Sequence, residues 1–163
     1  MKFALLLLAG VLPHTLDLYT GHWKLDAAAS DNIEKAIETA IEPINFLSRP
    51  IARGKLRRRS VAFPNMTITK TAEGFHVVHE QGLNVVYTDI ATPVHVKSID
   101  GEDIVSTLTG EPSLTLTYKT PAGERTDQYL LSDDGKIVSI QVRVTSRSLP
   151  QPLQYRLVYH RAD

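Results

Sequence analysis

From Asn65 to the C terminus the chain is a series of short runs in which apolar and polar residues alternate, each ended by turn chemistry. Met66 to Lys70 ends at Glu73-Gly74, Phe75 to Glu80 at Gln81-Gly82, and Asn84 to Ile90 at Ala91-Thr92-Pro93. Val94 to Ser98 ends at Asp100-Gly101, Ile104 to Thr109 at Gly110-Glu111-Pro112, and Ser113 to Thr120 at Pro121-Ala122-Gly123. Arg125 to Leu131 ends at Asp133-Asp134-Gly135, Ile137 to Arg147 at Leu149-Pro150-Gln151-Pro152, and Leu153 to His160 closes the series. A period of two marks half-buried strands, and links this short leave no room for a crossover helix, so each neighbour should pair antiparallel in a meander. Leu18 to Leu25 alternates in the same way and predicts one further strand ahead of the series. Twist and the cost of unpaired edges push about ten strands toward a closed barrel or a strongly curled half-barrel.

Between the first strand and the rest the period changes. Ile33, Ala36, Ile37, Ala40, Ile41 and Ile44 recur at helical spacing behind a capping-box pair, Asp31 and Glu34. Pro43 interrupts that stripe, because an interior proline loses a hydrogen bond and clashes with the preceding turn. The pattern predicts a helix from Asp31 to about Glu42 and a second short helix or turn from Pro43 to Ser48. The expected fold is therefore all-β with a small helical cap: a roughly ten-stranded antiparallel meander barrel with a helix-turn-helix between strands 1 and 2.

Strand parity sorts the two faces. Val138, Ile140, Val142 and Val144 share one face of a long strand, and Leu114, Leu116 and Tyr118 one face of another. On the last strand Tyr155, Leu157 and Tyr159 share a face opposite Arg156, Val158 and His160. An apolar inner face of this kind either encloses a cavity for an acyl chain or is filled by its own side chains, as small barrels are.

The amino terminus follows different rules. Met1-Lys2 and the apolar run Phe3 to Leu12 have the layout of an export signal, and the run is too short for a span that needs roughly 20 residues. Residues 1–17 are accordingly set aside as an export segment, cleaved between Leu12 and Leu18, and 18–163 as a single barrel domain in a periplasm or outside the cell. With no cysteine there are no disulfides or thiolate sites, and 18 basic against 18 acidic residues leave no net field to draw nucleic acid.

Thr20-Gly21-His22-Trp23-Lys24-Leu25-Asp26 resembles the Gly-x-Trp first-strand motif of the calycins, the lipocalins and fatty-acid-binding proteins. One strand, a helix-turn-helix and about nine hairpin-linked strands is similar to the fatty-acid-binding-protein layout, and the opening also resembles that of bacterial envelope proteins of the lipocalin-like type. The resemblance implies structural roles for Gly21 and Trp23, a close chain approach and a plug at the barrel floor. The family's Arg-x-Tyr carboxylate clamp on the last strand does not carry over, since Arg156 and Tyr159 are three residues apart and face opposite ways. The expected ligand contacts are Tyr118, Tyr155, Leu157 and Tyr159 in the lumen, with Ile37 and Ile41 on the helix that admits the ligand.

Other candidate chemistry is thinner. His76 and His79 lie on opposite faces of one strand, so no metal is expected. Asp100 to Asp103 reads as a hairpin turn, and no Gly-x-Ser-x-Gly elbow is present, so neither catalysis nor a cofactor is expected. Arg49, Arg53, Lys55, Arg57, Arg58 and Arg59 form a basic cluster. The expected function is an exported, non-enzymatic carrier of a small apolar or amphipathic, lipid-like molecule. The alternative is a filled envelope barrel in which Arg49, Arg53, Arg57, Arg58 and Arg59 contact a partner or an anionic membrane. Neither reading fixes the oligomeric state.

Overall fold

The computed structural model describes residues 14–80, 82, 84–98, 101–110 and 113–162. The apolar run of the expected export segment and the turn residues Gln81, Asp100, Glu111 and Pro112 lie outside the described residues. A 3-10 helix (His14–Tyr19) leads into β1 (Gly21–Leu25), α1 (Ile33–Ile41) and α2 (Arg49–Arg59). Then come β2 (Asn65–Thr71), β3 (Gly74–His79), β4 (Asn84–Tyr87), β5 (Val94–Lys97) and β6 (Asp103–Thr109). β7 (Leu114–Thr120), β8 (Gly123–Leu131), β9 (Ile137–Ser146) and β10 (Leu153–Ala162) complete the sheet.

The ten strands are ordered β4-β3-β2-β1-β10-β9-β8-β7-β6-β5 with every pair antiparallel, and β1 closes against β10. This is the expected meander, curled into a nearly closed barrel. Its remaining seam lies between β4 and β5, the two shortest strands, four residues each. Across that seam the Tyr87 hydroxyl of β4 and Ser106 Oγ of β6 are 2.6 Å apart, so a side-chain hydrogen bond spans the interval where a ladder is missing.

Two helical details differ from the sequence expectation. The N-cap of α1 is Asn32, whose Oδ1 accepts from the Lys35 amide at 3.0 Å, and Asp31 instead accepts from the Arg156 amide at 2.7 Å, pinning the cap to β10. Residues 43–48 form the turn alternative of the expectation, and the second helix comes after it, at Arg49–Arg59, with Pro50 in its first turn, where a missing N–H removes no helical bond. Ile37, Ala40 and Ile41 bury the inner face of α1, whereas α2 buries only Leu56.

The inward faces of the strands carry the core. Trp23, Met66, Ile68, Phe75, Val77, Leu108, Leu114, Leu116, Val138, Ile140, Val142 and Leu157 are buried in one cluster. The floor also includes the 3-10 helix: Leu16 is fully buried, the Tyr19 hydroxyl donates to Tyr129 O at 3.1 Å, and Lys70 pairs with Asp17 at 2.7 Å. Leu16, just upstream of Leu18, is thus packed into the same core.

The Gly-x-Trp unit sits at that floor. Trp23 Nε1 donates to Tyr19 O at 2.9 Å, and the Arg161 guanidinium lies 4.3 Å above the indole ring. The head of Arg161 occupies the place a Gly21 Cβ would take, and Gly21 has φ +144°, a region that favours glycine. Arg161 also donates to Thr20 O, Leu18 O and Gly135 O, tying the start of β1 to the end of β10 and the β8–β9 turn.

Candidate ligand site inside the barrel

β8 supplies the residues that parity alone left unassigned. Arg125, Asp127 and Tyr129 alternate inward, and Asp127 is almost fully buried between Leu116 of β7 and Val142 of β9. Two acids or bases on an inner face are costly unless paired, and here they are paired with each other. Arg125 Nε and Nη2 donate to the two Asp127 carboxylate oxygens at 2.7 and 2.9 Å, and Nη1 donates to the Arg59 carbonyl at 2.9 Å. That carbonyl is at the C-terminal end of α2, where exposed backbone oxygens favour a cation. The cap and the barrel interior thus meet at one guanidinium.

Burial would lower the Arg125 pKa, but the Asp127 charge beside it outweighs that and holds it well above its usual range. Arg125 therefore remains a cation. It sits deep among protein atoms yet keeps 23% of its side chain exposed.

All six tyrosines of the chain lie in the folded core or against it, and five of them surround this pair. Burial pushes the Tyr87 hydroxyl up to about 12, partly offset by its hydrogen bonds to Ser106 and Tyr118. Burial likewise raises Tyr118, Tyr129, Tyr155 and Tyr159, so all five are neutral phenols at any physiological pH. Tyr159 donates to Phe63 O at 2.9 Å. The hydroxyls of Tyr129 and Tyr155, and that of Ser60 at the end of α2, are buried without a hydrogen-bond partner. Ser60 and Tyr155 are near enough for the serine to lower the phenol's pKa slightly, short of a well-formed bond.

The residues expected from the sequence fall as follows. Tyr118, Tyr155, Leu157 and Tyr159 all face inward, and Ile37 and Ile41 seal the top from α1, fully buried. Tyr118 and Tyr155 belong to the polar ring near Arg125, while Leu157 lies one level lower beside Ile140. Arg156 faces out and donates to Ala29 O. Val158 also faces out but is buried, because the segment from Asp26 to Asp31 runs over it and takes its backbone bonds. His76 bonds Thr71 Oγ1 and His79 stacks near Phe63; among the described residues no group of metal-ligating side chains forms.

Most of the basic cluster is paired within the protein. Arg53 chelates Glu38, Arg57 chelates Glu34, Arg59 pairs with Glu102, and Arg49 donates to Ile44 O and Glu42 O. Four of the five arginines read as a docking patch are engaged in holding α2 to α1 and to the β5–β6 turn; Arg58 is the exposed remainder. Two grooves of about 320 and 370 Å³ lie on the outer surface, one beside α1 and one beside the Arg161 turn, and neither is lined by the tyrosines.

No protein-family model matches the chain, and no curated protein sequence does. Solved structures do. A Schistosoma mansoni fatty acid binding protein in complex with arachidonic acid aligns over 91% of this chain and 99% of its own, at 18% identity and a TM-score of 0.58. A protein described as the REP1-NXSQ fatty acid transporter aligns over 88% and 96%, at 15% identity and a TM-score of 0.56. As-p18, an extracellular fatty acid binding protein, aligns over 90% and 97%, at 11% identity and a TM-score of 0.56. At these identities the likeness is one of fold, and the fold of this chain is the capped ten-stranded barrel of the fatty-acid-binding proteins.

Proposed function

We propose that this protein is a non-enzymatic carrier that holds a small apolar or amphipathic, lipid-like molecule inside the barrel, beneath the α1–α2 cap. The observation that carries the reading is the Arg125–Asp127 pair with buried tyrosine hydroxyls about it in an otherwise apolar interior. A solid structural barrel has no use for buried hydroxyls without partners, which cost about 1–3 kcal/mol each, whereas a binding site uses such groups to orient a ligand. Apolar walls with a few convergent polar groups are the general form of a small-molecule site, and the proteins of like fold described above are named for fatty acids. The ring offers no nucleophile with an adjacent base, which supports carriage rather than turnover.

Export from the cytoplasm is part of the proposal, resting on the charged start and apolar run of the first twelve residues. Because Leu16 is buried in the core, the mature protein should begin at or before it. N-terminal sequencing of protein recovered from an envelope or medium fraction tests this, and a start beyond Leu16, or recovery of the unprocessed chain from the cytosol, counts against it.

The carrier reading is tested by native mass spectrometry of the purified protein, with organic extraction of whatever travels with it. A stoichiometric lipid that disappears in Leu157→Lys or Tyr118→Lys, with the fold retained by circular dichroism, is the expected result. A bare protein mass, together with no uptake of any fluorescent lipid probe, would overturn it.

A further inference from the structure

We propose that the site under the cap selects an uncharged, hydroxyl-headed single-chain lipid, of which a long-chain alcohol is the simplest, and discriminates against a free fatty-acid carboxylate. The inference rests on the carrier reading and names its ligand class.

The argument starts from what Arg125 has left to offer. A guanidinium binds a carboxylate through its two-pronged edge, and that edge is already filled by Asp127 at 2.7 and 2.9 Å. Its third nitrogen is committed to the Arg59 carbonyl. An incoming carboxylate would have to evict Asp127 into an apolar wall between Leu116 and Val142, or become the second carboxylate on one cation. Either outcome is unfavourable, since two carboxylates that share a site cannot both ionise freely. The last strand supplies no substitute, because Arg156 faces outward and is bonded to Ala29 O.

The groups that remain unsatisfied are neutral. Tyr129, Tyr155 and Ser60 each carry a hydroxyl that both donates and accepts, and each is at most 5% exposed; Tyr129 has no partner, while Ser60 and Tyr155 have only each other, short of a well-formed bond. A ligand hydroxyl matches that inventory: it accepts from a phenol and donates to a second hydroxyl or to a free lone pair of Asp127. A carboxylate can only accept. The inward neighbours of Tyr129 on either side, Leu114 and Ile140, with Leu157 next to Ile140, are apolar, as are Met66, Phe75 and Trp23, which suits a hydrocarbon tail.

The test uses the folded wild-type protein and an uncharged, polarity-sensitive dye, Nile red, displaced in turn by hexadecanol, hexadecanoate and hexadecylamine at slightly alkaline pH. Hexadecanol is expected to displace the dye at a concentration about tenfold or more below that of hexadecanoate, the equivalent of about one pKa unit of differential interaction. Asp127→Asn, which keeps the volume and one acceptor but frees the cation, is expected to reverse the order by improving hexadecanoate about tenfold with little change for hexadecanol. Equal or better displacement by hexadecanoate or hexadecylamine from wild type overturns the inference while leaving the carrier reading intact. Binding of neither dye nor any of the three lipids overturns both. The wild-type comparison decides without the variant, should Asp127→Asn fail to fold.

Discussion

Removing Asp127 alone should be far more damaging than removing the whole ion pair. Asp127→Ala takes away both acceptors of the Arg125 fork and leaves a cation between Tyr118 and Val144 without its counter-charge. Breaking a buried pair from one side costs about 3–5 kcal/mol, whereas replacing both partners with apolar groups of similar volume is often neutral. Two features of this site reduce the loss: Arg125 keeps 23% of its side chain exposed, and its bond to the Arg59 carbonyl survives. The expected cost is about 2–3 kcal/mol, a fall in Tm of roughly 4–12 °C for a domain of this size. The paired variant Arg125→Met with Asp127→Leu should recover most of it. Trp23 is the only tryptophan and is buried at the floor, so its fluorescence in urea, alongside far-ultraviolet circular dichroism, reads the global transition. An Asp127→Ala protein within about 0.5 kcal/mol of wild type would refute the reasoning, as surface substitutions behave that way. So would a paired variant less stable than the single one.

Gly21→Ala should cost about 1–3 kcal/mol, because it forces an L-residue into φ +144° and evicts Arg161 from above the indole; the same eviction should shift Trp23 emission, and an unchanged spectrum would count against it. Asp26 is held below its ordinary value of 3.8, by the Ala29 amide first and His160 second. Its contribution to stability is therefore full above 3.8 and is lost as the pH falls through the lower folded value. In an NMR titration His160→Ala should raise the Asp26 midpoint toward 3.8 without reaching it, and a midpoint that does not move would discard the His160 contribution. For Tyr87, raised to about 12 by burial, the sign is opposite: its neutral state is stabilising below the ordinary value of 10, and stability is lost as the pH climbs from there toward the folded value. An absorbance titration should show the buried tyrosines ionising only together with unfolding, and early phenolate from more than one tyrosine would be inconsistent with the buried ring.

The strands were legible because nearly all obey one rule, inward residues apolar and turns polar. β9 and β10 are the clearest cases: Val138, Ile140 and Val142 and then Leu153, Tyr155 and Leu157 face in, as their parity requires. β8 was the exception. Arg125, Asp127 and Tyr129 alternate with Thr126, Gln128 and Leu130, so both faces are mixed and periodicity alone could not choose between them. The signal that could have chosen is register: Asp127 is opposite Leu116 and Val142, both on apolar inner faces, and a strand between two oriented neighbours has no freedom to turn its own parity over. The helices show the same division. α1 carries an apolar stripe and was visible; α2 has only Leu56 buried, so helical periodicity had almost nothing to register. What marks it instead is charge: Arg53 and Arg57 at i, i+4 match Glu38 and Glu34 at the same spacing on α1.

That match leads to a sharper expectation for the cap. A helix that buries one apolar side chain is held mainly by its tethers, here Arg53 to Glu38, Arg57 to Glu34, Arg59 to Glu102 and the Arg125 bond to the Arg59 carbonyl. The first two pairs are exposed and screened by salt, so each is weak, but they act on an element with little else to hold it. Glu34→Gln with Glu38→Gln should therefore leave the barrel's unfolding nearly unchanged and speed amide exchange across α2 by about two- to fivefold, an effect mimicked in wild type by raising the salt. The same double substitution frees two arginines. Were the basic segment a docking patch rather than a strap, it would strengthen binding to anionic vesicles and leave α2 exchange as it was. Exchange confined to α2 and absent from β8 to β10 is the pattern that the observed ion pairs require.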